Sequence, residues 1–359
     1  MLENIVKKFF PYSLVADIKP FGNGHINNTY KLTLQQGKQN FILQRINTDV
    51  FKDPHGIADT HLRIQDAIFK EKTPILIAQL IPTADGKRLY TDSDGGVWRM
   101  TSFIEDSFTI EVVEKDWQAF EAGNAFGWFA KACDKFDAQS FKEPITNFHR
   151  LSFRLQQLNE AIDADKAGRL SSIKEVVDFY KNREAGLSEI ENLVDKGEIP
   201  LRIVHNDTKI NNLLFRGEKA AAVIDLDTTG PGILYYDYGD ALRTSANTAE
   251  EDEQDLGKVN FNMDAFEAFT NGYMGQVKPI LTPKEEKLFY QAPMLMTYII
   301  GIRFLADYLN GDVYFKTAWE DHNLARTKVQ KKLIESMETQ QEKMKKVIGN
   351  ALNQPVISN

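Results

Sequence analysis

The chain has 359 residues, 42% hydrophobic and 26% charged, with a formal net charge of −8 and a single cysteine, Cys133. That length exceeds one small core and fits two lobes. The negative charge argues against a nucleic-acid or anionic-membrane partner, because both are bound by clustered cations. One cysteine excludes an internal disulfide, and no Cys/His cluster has zinc-ligand spacing. No run approaches the ~18 apolar residues of a membrane span. The expectation is a cytoplasmic protein, monomeric or homodimeric.

The start, MLENIVKKFFPYSL, lacks a long apolar core and a small-residue cleavage site, and reads as an amphipathic first helix. Alternating apolar and polar residues predict strands at 30–35 and 41–46, joined as a hairpin through Gly37. A helix is predicted from Pro54 to about Lys70. Strands at 87–91 and 97–104 flank Asp92, Ser93, Asp94, Gly95 and Gly96, residues suited to a tight turn. From Asp116 the pattern turns helical, with Trp117, Phe120, Ala125, Phe126 and Phe129 at core spacing. Ser172 with Glu175 reads as a capping box, and further helices are predicted at 263–274, 283–308 and 325–352. The fold class is α+β with two lobes: a small β-rich lobe over 1–104 and a larger, mainly helical lobe over 105–359. A hinge is placed near 101–106.

One segment interrupts the helical part. Residues 203–227 read IVHNDTKINNLLFRGEKAAAVIDLD, two short apolar strands around a turn at Arg216, Gly217 and Glu218. Its first part carries the spacing His-x-Asp-x-x-x-x-Asn at His205, Asp207 and Asn212, the arrangement of a protein-kinase catalytic loop. Phosphoryl transfer asks a protein to orient a hydroxyl, neutralise phosphates and hold metal. A carboxylate at Asp207 suits the base. The amide oxygen of Asn212 suits Mg2+, a hard cation that takes oxygen ligands. Lys209 stands where many protein kinases have lysine and is read as a γ-phosphate contact. Asp225, at the end of the second strand, is read as the second metal ligand. His205 is read as a hydrogen-bonding group that holds the loop. Asp227 is a third metal contact, a substrate contact or a turn cap.

With these two motifs in hand, the sequence resembles the aminoglycoside phosphotransferase family, over nearly the whole chain. Tyr235, Tyr236, Asp237, Tyr238, Gly239 and Asp240 look like that family's segment after the metal strand. The resemblance implies a protein-kinase-like fold, ATP and Mg2+ as cofactors, and a small-molecule acceptor. The stretches GNGHINNTY (22–30), FILQRIN (41–47), VHNDTKINNLL (204–214), IDLDTTGPG (224–232) and GIRFLADYLNGDVYF (301–315) are similar to the family's N-acetylhexosamine 1-kinases. That similarity implies transfer to the anomeric hydroxyl of a free sugar. Another small alcohol as acceptor (aminoglycoside, choline or homoserine-like) and a nucleotide-binding scaffold without activity are the alternatives. The acidic run Glu250, Glu251, Asp252 and Glu253 could serve a cationic acceptor, though it reads more simply as an exposed loop.

The nucleotide side is expected from Gly22, Gly24, Asn27 and Thr29, where glycines let backbone N–H groups approach phosphates. The hinge residues Thr101, Phe103 and Ile104 are expected beside adenine. The second strand departs from the family pattern: its phosphate-holding Lys or Arg is replaced by Gln44, with Arg45 adjacent. Only one of the two can face the site, because strand side chains alternate. The helix after Pro54 offers only Asp59 and Asp66 where a partnering Glu is usual. For the acceptor, His25, Asp227, Arg243 and Arg303 are the candidates, and Arg303 in an apolar helix needs a partner.

Overall fold

The computed structural model describes residues 2–22 and 26–354. A sheet-rich part is followed by a helical part, the two-lobed α+β organisation expected from the sequence.

Helix α1 (Leu2–Phe9) precedes strands β1 (Val15–Pro20), β2 (Asn28–Leu34) and β3 (Asn40–Ile46). Helix α2 (Pro54–Lys70) separates these from the short β4 (Leu80–Ile81) and β5 (Tyr90–Thr91) and the longer β6 (Val97–Ser102). The strands form one antiparallel sheet in the order β1-β2-β3-β6-β4, with β5 also on β6. The β2–β3 hairpin matches the alternation, and α2 matches its predicted limits. Asp53 caps α2 by accepting from the Gly56 N–H (2.9 Å), with Pro54 at the first helical position. β1 was not anticipated, and the strand expected at 87–91 is reduced to Tyr90–Thr91.

The sheet has two dressed faces. On one, Ile5, Val6 and Phe9 of α1 pack on Leu32, Leu34, Phe41, Leu43, Trp98 and Met100. On the other, Ile46 and Leu80 meet Ile57 and Ala58 of α2. The polar residues of β3 and β6 on this second face point toward the helical part.

That part begins with α3 (Asp116–Cys133), α4 (Leu151–Ala164), α5 (Lys174–Lys181) and α6 (Glu184–Asp195). Next come β7 (Arg202–Val204), the hairpin β8 (Leu213–Arg216) and β9 (Lys219–Val223), and β10 (Gly230–Gly232), which returns to pair with β7. Helices α7 (Leu234–Ser245), α8 (Met263–Val277), α9 (Pro283–Leu288), α10 (Ala292–Leu309) and α11 (His322–Asn353) complete the chain. The β8–β9 hairpin is bracketed by the connecting segments: the Leu76 N–H donates to Ala221 O (2.8 Å), and Phe108 exchanges backbone hydrogen bonds with Phe215. The hairpin is therefore tied to the segment after α2 and to the chain just beyond the hinge.

Two expectations are corrected here. Ser172 does not cap a helix through its side chain: it ends a 3-10 turn and donates to Arg169 O, and α5 starts at Lys174 with no side-chain cap. The helix expected at 283–308 is two helices separated by a 3-10 turn at Phe289–Gln291. By length and a mean hydropathy of 1.3, the stretch Pro283–Leu309 could cross a membrane, but 72% of its apolar window is buried inside the protein. Helix α10 is the central helix of this lobe.

Helices α3 and α8 approach closest where both carry glycine. A Cβ on Gly123 would lie 2.1 Å from Phe269 O, and one on Gly272 would lie 2.2 Å from Phe120 O. Each obstacle is backbone and cannot rotate away. Gly272→Ala is expected to destabilise by about 1–3 kcal/mol or more, as overpacking does. A lowered thermal midpoint would show it; an unchanged one would mean that the helices separate freely.

Candidate active site

The catalytic-loop segment leaves β7 and is held by one buried side chain. Asp237, in the first turn of α7, accepts from the His205 N–H and the Asn206 N–H, each at 2.8 Å. Its main-chain oxygen accepts from Thr208 Oγ1 (2.6 Å). Burial pushes the Asp237 carboxyl up to about 6, while His205 and the two amides oppose the rise. Asn206 takes a left-handed conformation (φ 65°), and its side chain donates to Thr228 O (3.0 Å). His205 is fully buried between the edges of Phe126 and Phe129, with Nε2 2.9 Å from Ile224 O. It fastens the loop to the next strand, as expected of a structural histidine.

This framework brings the four catalytic and metal candidates together. Asp207 remains partly open to the cleft, and Lys209 Nζ lies 3.4 Å from its Oδ1. Burial opposes ionisation of Asp207, but Lys209, then His205 and the Asn212 amide, hold its pKa below the ordinary value. The Lys209 ammonium is raised in turn, first by Asp207. Asn212 Nδ2 donates to Asp207 O (2.8 Å) and Asp207 Oδ2 (3.0 Å), which leaves its amide oxygen for another partner. Asp225 takes a left-handed conformation (φ 60°) just beyond β9 and is exposed in the cleft. Its pKa is pushed up to about 7, by desolvation first and then by Asp227 and Asp207. Asn212 is tied to the same strand end, since its main-chain oxygen accepts from the Ile224 N–H (3.0 Å). Among the described residues, no cluster of three or more His, Cys, Asp or Glu forms a metal site by itself.

The nucleotide side differs from expectation. Gly24 and His25 lie outside the described residues. Gly22 is exposed with φ 78°. Gln44, not Arg45, faces the site: Arg45 lies against the turn at Asp92 and Gly96. Gln44 Nε2 donates to Thr29 Oγ1 (3.0 Å), and Gln44 Oε1 accepts from Arg99 Nε (2.9 Å). Arg99 sits directly across the sheet from Gln44 in the β3–β6 register. Asp227, expected at the acceptor, is buried between the lobes. Arg99 donates to it through both terminal nitrogens (Nη2–Oδ2 2.9 Å), and Asn27 Nδ2 donates to its Oδ2 (2.7 Å). The carboxylate for this cation thus comes from the metal strand, and α2 supplies none: Asp59 pairs with Arg88 and Asp66 is exposed. Helix α2 instead turns His61 toward Arg99, with a pKa lowered to about 4, chiefly by burial.

The hinge residues are largely committed to the sheet. Thr101 lies in the ladder between β3 and β4, and the Phe103 N–H donates to Asn40 O (3.3 Å). The Phe103 ring meets Lys31 Nζ at 3.9 Å. Ile104 is buried, and its carbonyl accepts from Ser107 Oγ (2.6 Å).

On the acceptor side, Arg243 is buried and clamped by Asp240 (3.0 Å) and Glu251 (2.6 Å), a structural role in place of the expected substrate contact. Arg303 has no carboxylate partner within salt-bridge distance among the described residues. Its guanidinium lies over Phe148 (5.2 Å), Phe315 (5.6 Å) and Tyr314 (6.0 Å). Arg154, equally without a carboxylate, donates to Phe148 O (3.0 and 2.7 Å) and Gln157. Burial, then Arg303, lowers its pKa to about 10. Between these arginines and the catalytic loop sits His149, whose Nε2 is 2.9 Å from Asn206 O. The loop carrying Tyr314 and Phe315 is gathered by Asp307, which accepts from the N–H groups of Val313 (3.0 Å), Tyr314 (2.8 Å) and Phe315 (2.9 Å). Arg99, Asp307 and Arg154 were not singled out from the sequence.

A carboxylate beside an ammonium group, Asn212 and Asp225 at the two ends of the β8–β9 hairpin, and a charged link to the sheet make up the candidate site. The chain belongs to the phosphotransferase enzyme family (APH), whose model matches residues 17–269. Its fold is similar to an aminoglycoside phosphotransferase from Alicyclobacillus acidocaldarius (TM-score 0.64, 13% identity, covering 97% of this chain and 96% of that one). It is also similar to a microcompartment-associated aminopropanol kinase (0.59, 16%, 96% and 98%) and to choline kinase from Cryptosporidium parvum (0.58, 13%, 94% and 93%). The two-lobed α+β fold is therefore kinase-like, and the chain is a member of a phosphotransferase family.

Asp237→Asn retains one acceptor oxygen but cannot serve both amides as a carboxylate does. Losing a charge-assisted bond is worth about 1.5–3 kcal/mol, so kcat is expected to fall roughly 10- to 100-fold. Unchanged kcat would show that the loop holds its shape without Asp237.

Proposed function

We propose that the protein is an ATP- and Mg2+-dependent kinase that phosphorylates the anomeric hydroxyl of N-acetylhexosamines. The observation that carries the choice of a neutral acceptor is the pair Arg154 and Arg303, neither paired with a carboxylate among the described residues, on the His149 side of the catalytic loop. Such a surface repels a cationic amine and offers hydroxyl groups N–H donors. Three of the four residues of the acidic run that could have received an amine are otherwise engaged: Glu251 binds Arg243, Asp252 binds His322 and Glu253 binds Lys258.

In this reading Asp207 accepts the proton of the sugar hydroxyl and orients its oxygen toward the γ-phosphate. An anomeric hydroxyl is more acidic than an ordinary alcohol, so a carboxylate of low pKa suffices. Lys209 stands beside the same carboxylate and neutralises charge on the transferring phosphoryl group. Asn212 and Asp225 would hold Mg2+, which supplies charge neutralisation at the phosphate oxygens. Arg303, with the Tyr314 and Phe315 rings around it, hydrogen-bonds the sugar.

ADP release is measured with Mg-ATP against N-acetylglucosamine, N-acetylgalactosamine, glucose, galactose, choline and kanamycin. Turnover on the N-acetylhexosamines is expected, yielding an acid-labile product, and Asp207→Asn should lower it about 10^2- to 10^4-fold. Turnover confined to choline or kanamycin would overturn the sugar reading. Nucleotide binding without turnover on any acceptor would favour an inactive scaffold. Arg303→Ala should raise the acceptor KM about tenfold and leave the ATP KM unchanged, as loss of a hydrogen bond from a charged donor does; an unchanged acceptor KM would remove Arg303 from the sugar site.

A further inference from the structure

The family's phosphate-holding cation is missing from β3, yet the site contains a buried cation opposite the vacated position. Arg99 on β6 is in register with Gln44 on β3, so both side chains leave the same face of the sheet. Its side chain is 5% exposed and fixed on two sides: Gln44 takes the Nε–H, and Asp227 takes one N–H from each terminal nitrogen. This leaves two of the five guanidinium N–H groups without a hydrogen-bond partner among the described residues. Asp225, the proposed metal ligand, lies within its electrostatic reach. Asn27, at the end of the glycine-containing segment, binds the same Asp227, and its side-chain oxygen accepts from the Asn47 N–H (2.9 Å). A cation, its carboxylate and the edge of the glycine segment are thus joined beside the metal strand.

The geometry points to Arg99 as the cation that holds the phosphates of the nucleotide, supplied from β6 in place of a lysine on β3. Gln44 and Asp227 are its positioning residues. Gln44 fits this role because an amide oxygen can orient a guanidinium without cancelling its charge, whereas a lysine there would repel it. Arginine suits the task because its planar fork can hold a carboxylate on one edge and phosphate oxygens on another. The assignment rests on the chain binding a nucleoside triphosphate, as proposed above.

Isothermal titration of the full chain with Mg-ADP and, separately, with adenosine separates phosphate contacts from base contacts. Removing Arg99 alone would strand a buried carboxylate, so the test variant is Arg99→Gln with Asp227→Asn. Its Mg-ADP affinity should fall about 10- to 100-fold, with adenosine affinity unchanged. Adding Gln44→Lys, which returns a cation to β3 on the same face, should restore most of the Mg-ADP affinity. If the paired variant does not fold, Arg99→Lys keeps the charge, loses the fork, and should weaken Mg-ADP selectively by a smaller factor. Equal losses for ADP and adenosine, no loss for either, or a selective loss that Gln44→Lys does not repair would each overturn the role of Arg99. Wild-type protein that binds neither ligand would instead overturn the nucleotide reading itself.

Discussion

A single buried carboxylate organises the catalytic centre. Asp237 receives two consecutive N–H groups of the loop that carries Asp207, and the left-handed turn at Asn206 can form only because those amides have somewhere to go. Without that acceptor, the loop would leave polar groups unpaired in a protein interior, at about 1–3 kcal/mol each. The position of Asp207, its distance to Lys209 and its bonds from Asn212 all depend on this anchored loop. The Tyr238 ring beside it packs among Phe266, Phe269, Tyr273 and Phe289, so the anchor is set in a buried aromatic cluster of the helical lobe.

The second constraint runs between the lobes. Asp227 follows the metal strand by two residues yet belongs, by its bonds, to the sheet: Arg99 comes from β6 and Asn27 from the edge of β2. The charged pair that usually lies within the small lobe is here shared across the cleft. Its carboxylate and the neighbouring Asp225 sit on one short turn, so the geometry of the metal strand and that of the sheet are not independent.

Much of this arrangement was legible in the sequence where it depended on near neighbours. The spacing from His205 to Asn212, the hairpin that returns the chain to Asp225, and the span of α2 are all set by local patterns and turn residues. Contacts between distant segments were not legible. Arg99 could not be matched to Gln44 without knowing that β6 pairs with β3 in that register, and nothing local ties Asn27 to Asp227. The spacing of Arg243 three after Asp240 already suggested their salt bridge, but the second partner, Glu251, and the aromatic rings around Arg303 come from the fold. The capping box at Ser172 failed for a local reason: a 3-10 turn holds Ser172, and the helix begins one residue beyond its reach.

Asp307 gathers three successive backbone N–H groups, and Asn323 Nδ2 donates to it as well (2.9 Å). The path of the segment after α10 is therefore written in main-chain bonds to one carboxylate and owes little to which side chains the segment carries. Val313 and Tyr314 are 78% and 66% exposed, so they bear little of the packing. A lineage that exchanged them would change the surface of this segment while its backbone path stayed fixed. If the proposed acceptor side is the right one, such drift at a few surface positions would alter it and leave the buried loop around Asp237 intact.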